Sequence, residues 1–294
     1  MKTLVHPYGN LQGGEWLRGN LHTHTTASDG ARPVQETINE YAARGYGFLM
    51  ISDHDTVMSA EEYAALDKRG LALILGREIS KGGPHVLHVH ADVRVDSLAP
   101  RQSTLDRIAA GRGFAIVCHP NWEQDFDHCP LEQMIAWTGY AGMEIYNGTI
   151  GRLDGSPYAT DKWDMLLTRG RRVWGFANDD CHLAGDDLGL GWNVAYVTQR
   201  TPDGVVAALA AGRFYASTGV TITRIDVSGM RIRVETRDAA RIVALRDVGR
   251  RFAQVDSRAL EVEAPADARY VRFECWGAGE KFAWTQPFFP AEAE

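Results

Sequence analysis

Leu21-His22-Thr23-His24-Thr25-Thr26-Ala27-Ser28-Asp29-Gly30 is the stretch on which the reading of the fold turns. Residues Leu17 to His22 read as a strand that runs into it. Side chains two apart on a strand share a face, so His22 and His24 present both rings on one side, where one metal ion can take both. Metal-type ligands at the end of a strand set the pattern to look for in the rest of the chain.

Working outward, the pattern recurs. Pro33 occupies a first helical position, Val34, Ile38 and Tyr41 follow at helical spacing, and Gly45 supplies a stop. Phe48-Leu49-Met50-Ile51 reads as a buried strand ending at Ser52-Asp53-His54-Asp55. A helix over 61–66 stops at Gly70, and Leu71 to Leu75 is a strand ending at Gly76-Arg77-Glu78. Further strands are predicted at 85–91, 114–118, 143–146, 173–177 and 194–197, with helices at 104–110, 131–137 and 161–168 between them. Those at 114–118, 143–146 and 173–177 end at His119-Pro120, Asn147-Gly148 and Asn178-Asp179-Asp180-Cys181-His182. Thr201-Pro202-Asp203 caps a last helix through Ala210.

Alternating strands and helices, with continuously apolar strands, imply an α/β fold whose parallel sheet is covered by helices. A closed barrel suits the chain better than an open sheet. The polar clusters follow the strands, and a barrel converges its strand ends on one mouth. After Gly219 the texture becomes alternating, as in Ile222-Thr223-Arg224-Ile225-Asp226-Val227, which reads as half-buried antiparallel β-structure. The expected division is a barrel over 1–219 and a small β-rich unit over 220–294.

The 294 residues allow one large domain, with or without an appendage, and 45% apolar and 23% charged residues are ordinary for a soluble protein. A net charge of −7 argues against an extended nucleic-acid partner, which needs a basic stripe. Cys118, Cys129, Cys181 and Cys275 show neither metal nor disulfide spacing and read as reduced thiols. Residues 1–16 lack a signal pattern, and no apolar run is long enough to span a membrane. The expectation is a soluble, cytoplasmic protein.

The strand-end clusters hold His22, His24 and Asp29; His54; Glu78; His85, with His88 and His90 nearby; His119; and Asp180 and His182. A lone histidine is more often a structural or surface residue. Here several independent strand ends each finish in a metal-type ligand, and of ten histidines only His6 and His128 fall outside the pattern. A structural role gives no reason for imidazoles to collect at one end of a fold. Imidazole and carboxylate without thiolate suit zinc, manganese or iron. Cys118 and Cys181 flank candidate ligands and read as packing, since neighbours along a strand point to opposite faces.

Taken together, His22-Thr23-His24 with Ser28-Asp29-Gly30, Ile51-Ser52-Asp53-His54-Asp55, Gly76-x-Glu78, His119-Pro120 and Asp180-x-His182 resemble the successive motifs of the polymerase and histidinol phosphatase (PHP) family. The resemblance spans residues 16–219. It implies a distorted (β/α)7 TIM-like barrel, a trinuclear divalent metal site and phosphate-ester hydrolysis. It assigns His22, His24, Glu78 and Asp180 to one ion. Glu78 bridges to a second ion, held also by His85 and His119, and Asp29, His54 and His182 hold the third. Asp29 stands where some members have a histidine. Among His85, His88 and His90, the family's pattern after the glutamate motif matches His85 best. The segment Met143-Glu144-Ile145-Tyr146-Asn147-Gly148 looks like the branch that includes carbaryl hydrolase, whose substrate is a carbamate.

Three divalent ions against Asp29, Glu78 and Asp180 would leave a pocket with about three net positive charges, suited to a small anionic phosphate ester. A metal-bridging hydroxide would attack phosphorus in line, with Glu78, Asp180 and His182 in the catalytic set. With a carbamate, carboxylic ester or amide the same hydroxide would attack carbon. A metal-stabilised binding module without turnover is the alternative of a different class, and the complete ligand set argues against it. Arg152, on a Gly-rich loop, is a candidate phosphate clamp. Asn121 and Trp122 are candidate pocket residues, and Asp53 and Asp55 are candidate partners of His54 or caps of the next turn.

Overall fold

Phe48-Leu49-Met50-Ile51 folds as a strand buried along its whole length, with a parallel neighbour on either side. An apolar run without alternation belongs in a sheet covered on both faces. The computed structural model describes residues 2–9, 11–91, 95–185 and 187–292. Its N-terminal part holds β1 (Lys2–Val5), β2 (Glu15–Asn20), β3 (Phe48–Ile51), β4 (Ala72–Ile79), β5 (Val86–Val89), β6 (Phe114–Val117), β7 (Tyr140–Asn147), β8 (Trp174–Asn178), β9 (Trp192–Val197) and β10 (Phe214–Ser217). The helices are α1 (Val34–Ala43), α2 (Ala60–Ala65), α3 (Arg101–Ala109), α4 (Leu131–Ala136), α5 (Thr160–Thr168) and α6 (Pro202–Ala210).

Strands β2–β3–β4 and β6–β7–β8 run parallel, as the strand–helix alternation implies. Two strands depart from the expected all-parallel sheet. β5 is antiparallel to both β4 and β6, and β9 is antiparallel to β2. Only residues 80–85 separate β4 from β5. A parallel return needs a crossover of about a dozen residues or more, so a short link makes a hairpin. The reversal brings the start of β5 to the end of β4, and with it His85 to Glu78.

The two ends of this run of strands meet beyond β2 and β8. Asp180 N–H donates to His22 O (3.0 Å), His24 N–H donates to Cys181 O (2.9 Å), and Thr23 and Cys181 form a parallel bridge. The side-chain amide of Asn193 on β9 bonds the backbone of Ala177 on β8 in both directions. Helices cover the outside through apolar stripes: α1 buries Ile38 and Tyr41, and α6 buries Val205, Val206 and Leu209. Pro33 stands one residue before α1, at its N-cap, rather than in its first turn. Thr201 caps α6 by accepting Gly204 N–H, and Pro202 opens it.

The C-terminal part is β-rich: β11 (Ile222–Ser228), β12 (Arg231–Thr236), β13 (Arg241–Arg246), β14 (Arg250–Val255), β15 (Ala259–Glu263), β16 (Val271–Trp276), β17 (Phe282–Thr285) and β18 (Phe289–Glu292). It continues the same sheet, because β17 pairs with β10, giving 13 strands in one sheet from β14 to β8. β11, β12 and β15 form a second sheet, and β1 pairs with β18. Leu4 and Tyr8 therefore join the core of Ile232, Val234, Phe273 and Phe288. On the other side Arg272 of β16 reaches α5, where it bonds Asp164 with two arms, both at 2.7 Å. Among the described residues no helix is long and apolar enough to cross a membrane, and all four cysteines are buried and unpaired.

Candidate metal centre

Glu78, near the end of β4 and 1% exposed, is the hub of the site. The chain past β3 pairs with β4 at this point. Glu78 N–H donates to Ser52 O, Asp55 N–H donates to Glu78 O, and His54 lands opposite Glu78. Glu78 Oε2 lies 2.9 Å from His54 Nδ1, 3.3 Å from His22 Nε2 and 3.4 Å from His24 Nε2. Its Oε1 lies 2.9 Å from His85 Nδ1 and 3.2 Å from His119 Nε2. A carboxylate with ligand nitrogens on both oxygens is the arrangement needed to bridge two ions.

His22 and His24 also share Asp180 Oδ1, at 3.2 and 3.1 Å. A second group combines His24, Asp29, His54 and His182. Asp29 there stands 3.6 Å from His24 Nδ1 and from His54 Nε2, and 3.4 Å from His182 Nε2. His24 thus belongs to both groups, one through each ring nitrogen. All nine residues singled out from the sequence, His22, His24, Asp29, His54, Glu78, His85, His119, Asp180 and His182, come together at one end of the sheet. His88 and His90 do not: His88 is buried beside Gly113, and His90 pairs with Asp203 of α6 at 3.3 Å.

Several of the facing atoms lie close without bonding. His22 Nε2, His24 Nε2, His54 Nδ1 and Asp180 Oδ1 are buried and take part in no hydrogen bond, although their neighbours lie only 2.9–3.4 Å away. Buried polar atoms in folded proteins are nearly all satisfied, so a cluster of exceptions calls for a cause. Atoms aimed at shared points between them, rather than at each other, are what ion ligands require. The donor set therefore fits divalent cations.

The electrostatics agree. Burial disfavours protonation of His22, yet Asp180, Glu144 and Glu78 lift its pKa well above the imidazole range. Burial opposes ionisation of Glu78 and Asp180, but His22 first, then His119 for Glu78 and His24 for Asp180, hold both below the carboxylate range. Carboxylates this strongly ionised in a dry site draw positive charge to themselves, and a divalent ion replaces protons when it binds imidazoles.

Two contributors, Glu144 and His128, were not singled out from the sequence. Glu144 of β7, 1% exposed, accepts from His22 Nδ1 (2.8 Å), His119 N–H (2.8 Å), Asn147 Nδ2 (2.7 Å) and Asn178 Nδ2 (2.9 Å). It fixes the ring of His22 from behind. Its signal was a carboxylate between Met143 and Ile145 in an otherwise apolar strand. His128 also joins, in one group with His85 and His119. It accepts His85 N–H on Nε2 (3.0 Å) and turns Nδ1 to Glu123 (3.1 Å). Burial and the neighbouring His119 and His85 push its pKa down to about 2, so it is neutral. Cys118 lies near His22, Glu78 and His119 but packs in the apolar core with Ile116 and Phe176, as read from the sequence. The Cys118 thiol is pushed well up by burial and then by Glu78.

Comparison with known proteins adds an architecture. No family model matches the chain. A stretch of 72 residues is 40% identical to a 3′,5′-nucleoside bisphosphate phosphatase of Chromobacterium violaceum, covering 24% of this chain and 25% of that protein. A stretch of 78 residues is 36% identical to a 5′-3′ exoribonuclease of Haemophilus influenzae, covering 25% of this chain and 28% of that protein. The chain thus spans about a quarter of the length of these relatives. A crystal structure from Bacteroides vulgatus, of a two-domain protein containing a "predicted PHP-like metal-dependent phosphoesterase", superposes with a TM-score of 0.60. That likeness covers 96% of this chain and 97% of the other, at 15% identity. The chain has a PHP-like fold.

Within the PHP-like fold, the metal-type residues floor a cavity of about 370 Å³. Its walls include Trp122, Thr149, Ile150, Arg152, Leu153 and Leu183. Trp122 packs edge-on to His85 and His119. Asn121 turns away and donates to Tyr158 O and Asp161, both at 2.9 Å. Arg152 lines the cavity, but its guanidinium is engaged with Asp187 through Nε (3.3 Å) and Nη2 (3.1 Å). Asp53 and Asp55 hold loops rather than the His54 ring. Asp53 accepts from Thr25 N–H, Thr25 Oγ1 and Ser28 Oγ, and Asp55 accepts from Ser80 N–H and Oγ.

Proposed function

We propose that the chain is a metal-dependent hydrolase, a phosphoesterase that cleaves a small phosphate mono- or diester at a trinuclear divalent site. The observation that carries this reading is the convergence of buried, hydrogen-bond-free ligand atoms on the space around Glu78 and Asp180. In this reading His22, His24, Glu78 and Asp180 hold the first ion. Glu78, His85 and His119 hold the second, and Asp29, His54 and His182 the third. The distorted (β/α)7 barrel belongs to the same proposal, supported by the bonds that join the chain beyond β2 to the chain beyond β8. Manganese, iron and zinc all suit such imidazole and carboxylate donors.

Ions of this kind supply Lewis acidity and make hydroxide available at neutral pH. The chain's own residues do the rest. Glu144 keeps the His22 ring in one orientation, and Asp53 keeps the loop of Thr25 and Ser28 in place beside Asp29. Trp122 and Ile150 exclude bulk water from one wall, which strengthens every charge interaction inside. A cavity of about 370 Å³ suits a small ester better than a long nucleic acid.

The test is turnover of p-nitrophenyl phosphate, bis-p-nitrophenyl phosphate and a p-nitrophenyl carboxylic ester by the full chain with Mn²⁺. Hydrolysis of a phosphate ester that disappears in Glu78→Ala is expected. Hydrolysis of the carboxylic ester alone would move the electrophile from phosphorus to carbon. Tight metal binding with no turnover of any of the three would make the domain a binding module.

A further inference from the structure

The cavity mouth carries two side chains that folding alone does not account for. Five large apolar residues are exposed among the described residues: Val5, Phe126, Leu153, Leu183 and Val248. Isolated exposed leucines are commonplace and need no reason. Leu153 and Leu183, 41% and 45% exposed, are not isolated, because both line the cavity over the metal-type residues, together with Trp122 and Ile150.

Both leucines sit on backbone that is pinned. Leu153 N–H donates to Ile150 O (3.1 Å), and the next residue, Asp154, accepts Glu123 N–H (3.1 Å). Gly155 bridges to Trp122 at a φ of 112°, and a Cβ there would come within 2.4 Å of Asn121 O. Leu183 O accepts an Arg32 arm at 2.7 Å, and Leu183 N–H donates to Asp187 at 2.9 Å. The rim is therefore preformed, and little ordering opposes its being covered.

Charge at the rim is already neutralised. Among the described residues that line the cavity Arg152 is the one Lys or Arg, and both of its bonding arms lie on Asp187. Asp187 is 2% exposed and also accepts His182 N–H. A second anionic group on a substrate would have to take Arg152 away and leave a buried carboxylate short of its cation.

We propose that the substrate is a phosphate ester with a single phosphoryl group and an apolar alcohol portion, which Leu153, Leu183, Trp122 and Ile150 cover. This rests on the phosphoesterase reading above and narrows its substrate class. The rim sets selectivity, and the metal-type residues set the reaction.

A homologous series tests it: kcat/KM of the Mn²⁺-loaded full chain for ethyl, butyl and hexyl phosphate, with 1,6-hexanediol bisphosphate as the doubly charged probe. Leaving-group acidity is nearly constant across the alkyl series, so the slope reports seating on the rim. Each methylene covered contributes about fourfold, and the bisphosphate is no better than hexyl phosphate. The double variant Leu153→Ser/Leu183→Ser flattens the slope. A flat series in the wild type, or a bisphosphate preferred by tenfold over hexyl phosphate, would overturn the proposal. If no ester turns over, the phosphoesterase reading fails. Equilibrium binding of ethyl- and hexylphosphonate then decides the rim separately: tighter hexyl binding supports it, and equal binding overturns it.

Discussion

Arg272 and Glu78 are equally dry, 2% and 1% exposed, yet their surroundings treat them in opposite ways. Arg272 is closed off by carboxylates, chiefly Asp164, with Glu274 at 3.4 Å from its Nη1. Its Nε and Nη2 meet the two oxygens of Asp164 at 2.7 Å each, and Tyr270 OH adds a third bond of 2.7 Å to the same carboxylate. This is a bidentate, charge-assisted pair, complete as it stands. Glu78 instead faces five imidazoles at 2.9–3.4 Å, and several of the atoms turned toward it make no hydrogen bond. Buried charge that serves the fold is consumed by its neighbours. Buried charge that serves a ligand is aimed past them, at a point they share.

The sharpest way to break this contrast is to remove each hub in turn. Glu78→Ala should abolish hydrolysis and uptake of the two ions that Glu78 would share, a loss larger than the roughly 10–100-fold typical of an outer partner. The denaturant midpoint of its metal-free form should fall by clearly less than that of Asp164→Ala, since among the described residues only His85 and His119 hydrogen-bond the Glu78 carboxylate. An equal fall in that midpoint would make Glu78 a structural residue. Asp164→Ala should do the reverse. Leaving buried Arg272 with only its longer contact to Glu274 costs up to about 3–5 kcal/mol in denaturant unfolding, while the folded fraction keeps its metal stoichiometry. Loss of metal in that variant would erase the distinction between the two clusters.

Smaller effects sharpen the boundary of the site. Glu144→Gln keeps the shape but weakens its grip on the His22 ring, and should loosen metal binding by about 10–100-fold. Unchanged affinity by competition with a chelator would reduce Glu144 to packing. His128→Ala removes one hydrogen bond to His85 N–H, worth about 1 kcal/mol, or roughly fivefold in affinity for the most weakly held ion. His128→Gln, which can still accept that N–H, should restore most of it. Failure of the glutamine to rescue would point to lost ring packing rather than to the bond.

What the sequence made readable follows the same contrast. His22, His24, His54, Glu78, His119, Asp180 and His182 stood out because each sits at a strand end, where spacing along the chain is spacing in the structure. The buried strand at Phe48–Ile51 and the helix after Pro33 were legible for the same local reason. Glu144 and His128 were not, because their partners lie 122 and 43 residues away and act across strands. The reversal of β5 had a signal in the shortness of the link over 80–85, which no crossover helix can fit. The union of the two parts into one sheet had none: β10 and β17 pair residues about seventy apart, such as Tyr215 and Thr285, and alternation marks a strand without naming its neighbour. Arg152 was picked out for its charge, but the approach of Asp187, which occupies that charge, is a property of the folded loop.

Metal titration of the apo chain, read by calorimetry with Mn²⁺ and by elemental analysis after dialysis, tests the central claim most directly. Three equivalents per chain are predicted, with stabilisation of about 2.7 kcal/mol per ion when free metal reaches one hundred times its Kd, and at most the one equivalent held by Asp29, His54 and His182 in Glu78→Ala. One or two equivalents would contradict the trinuclear assignment. No saturable binding would contradict the account that these buried, unbonded atoms exist to hold ions.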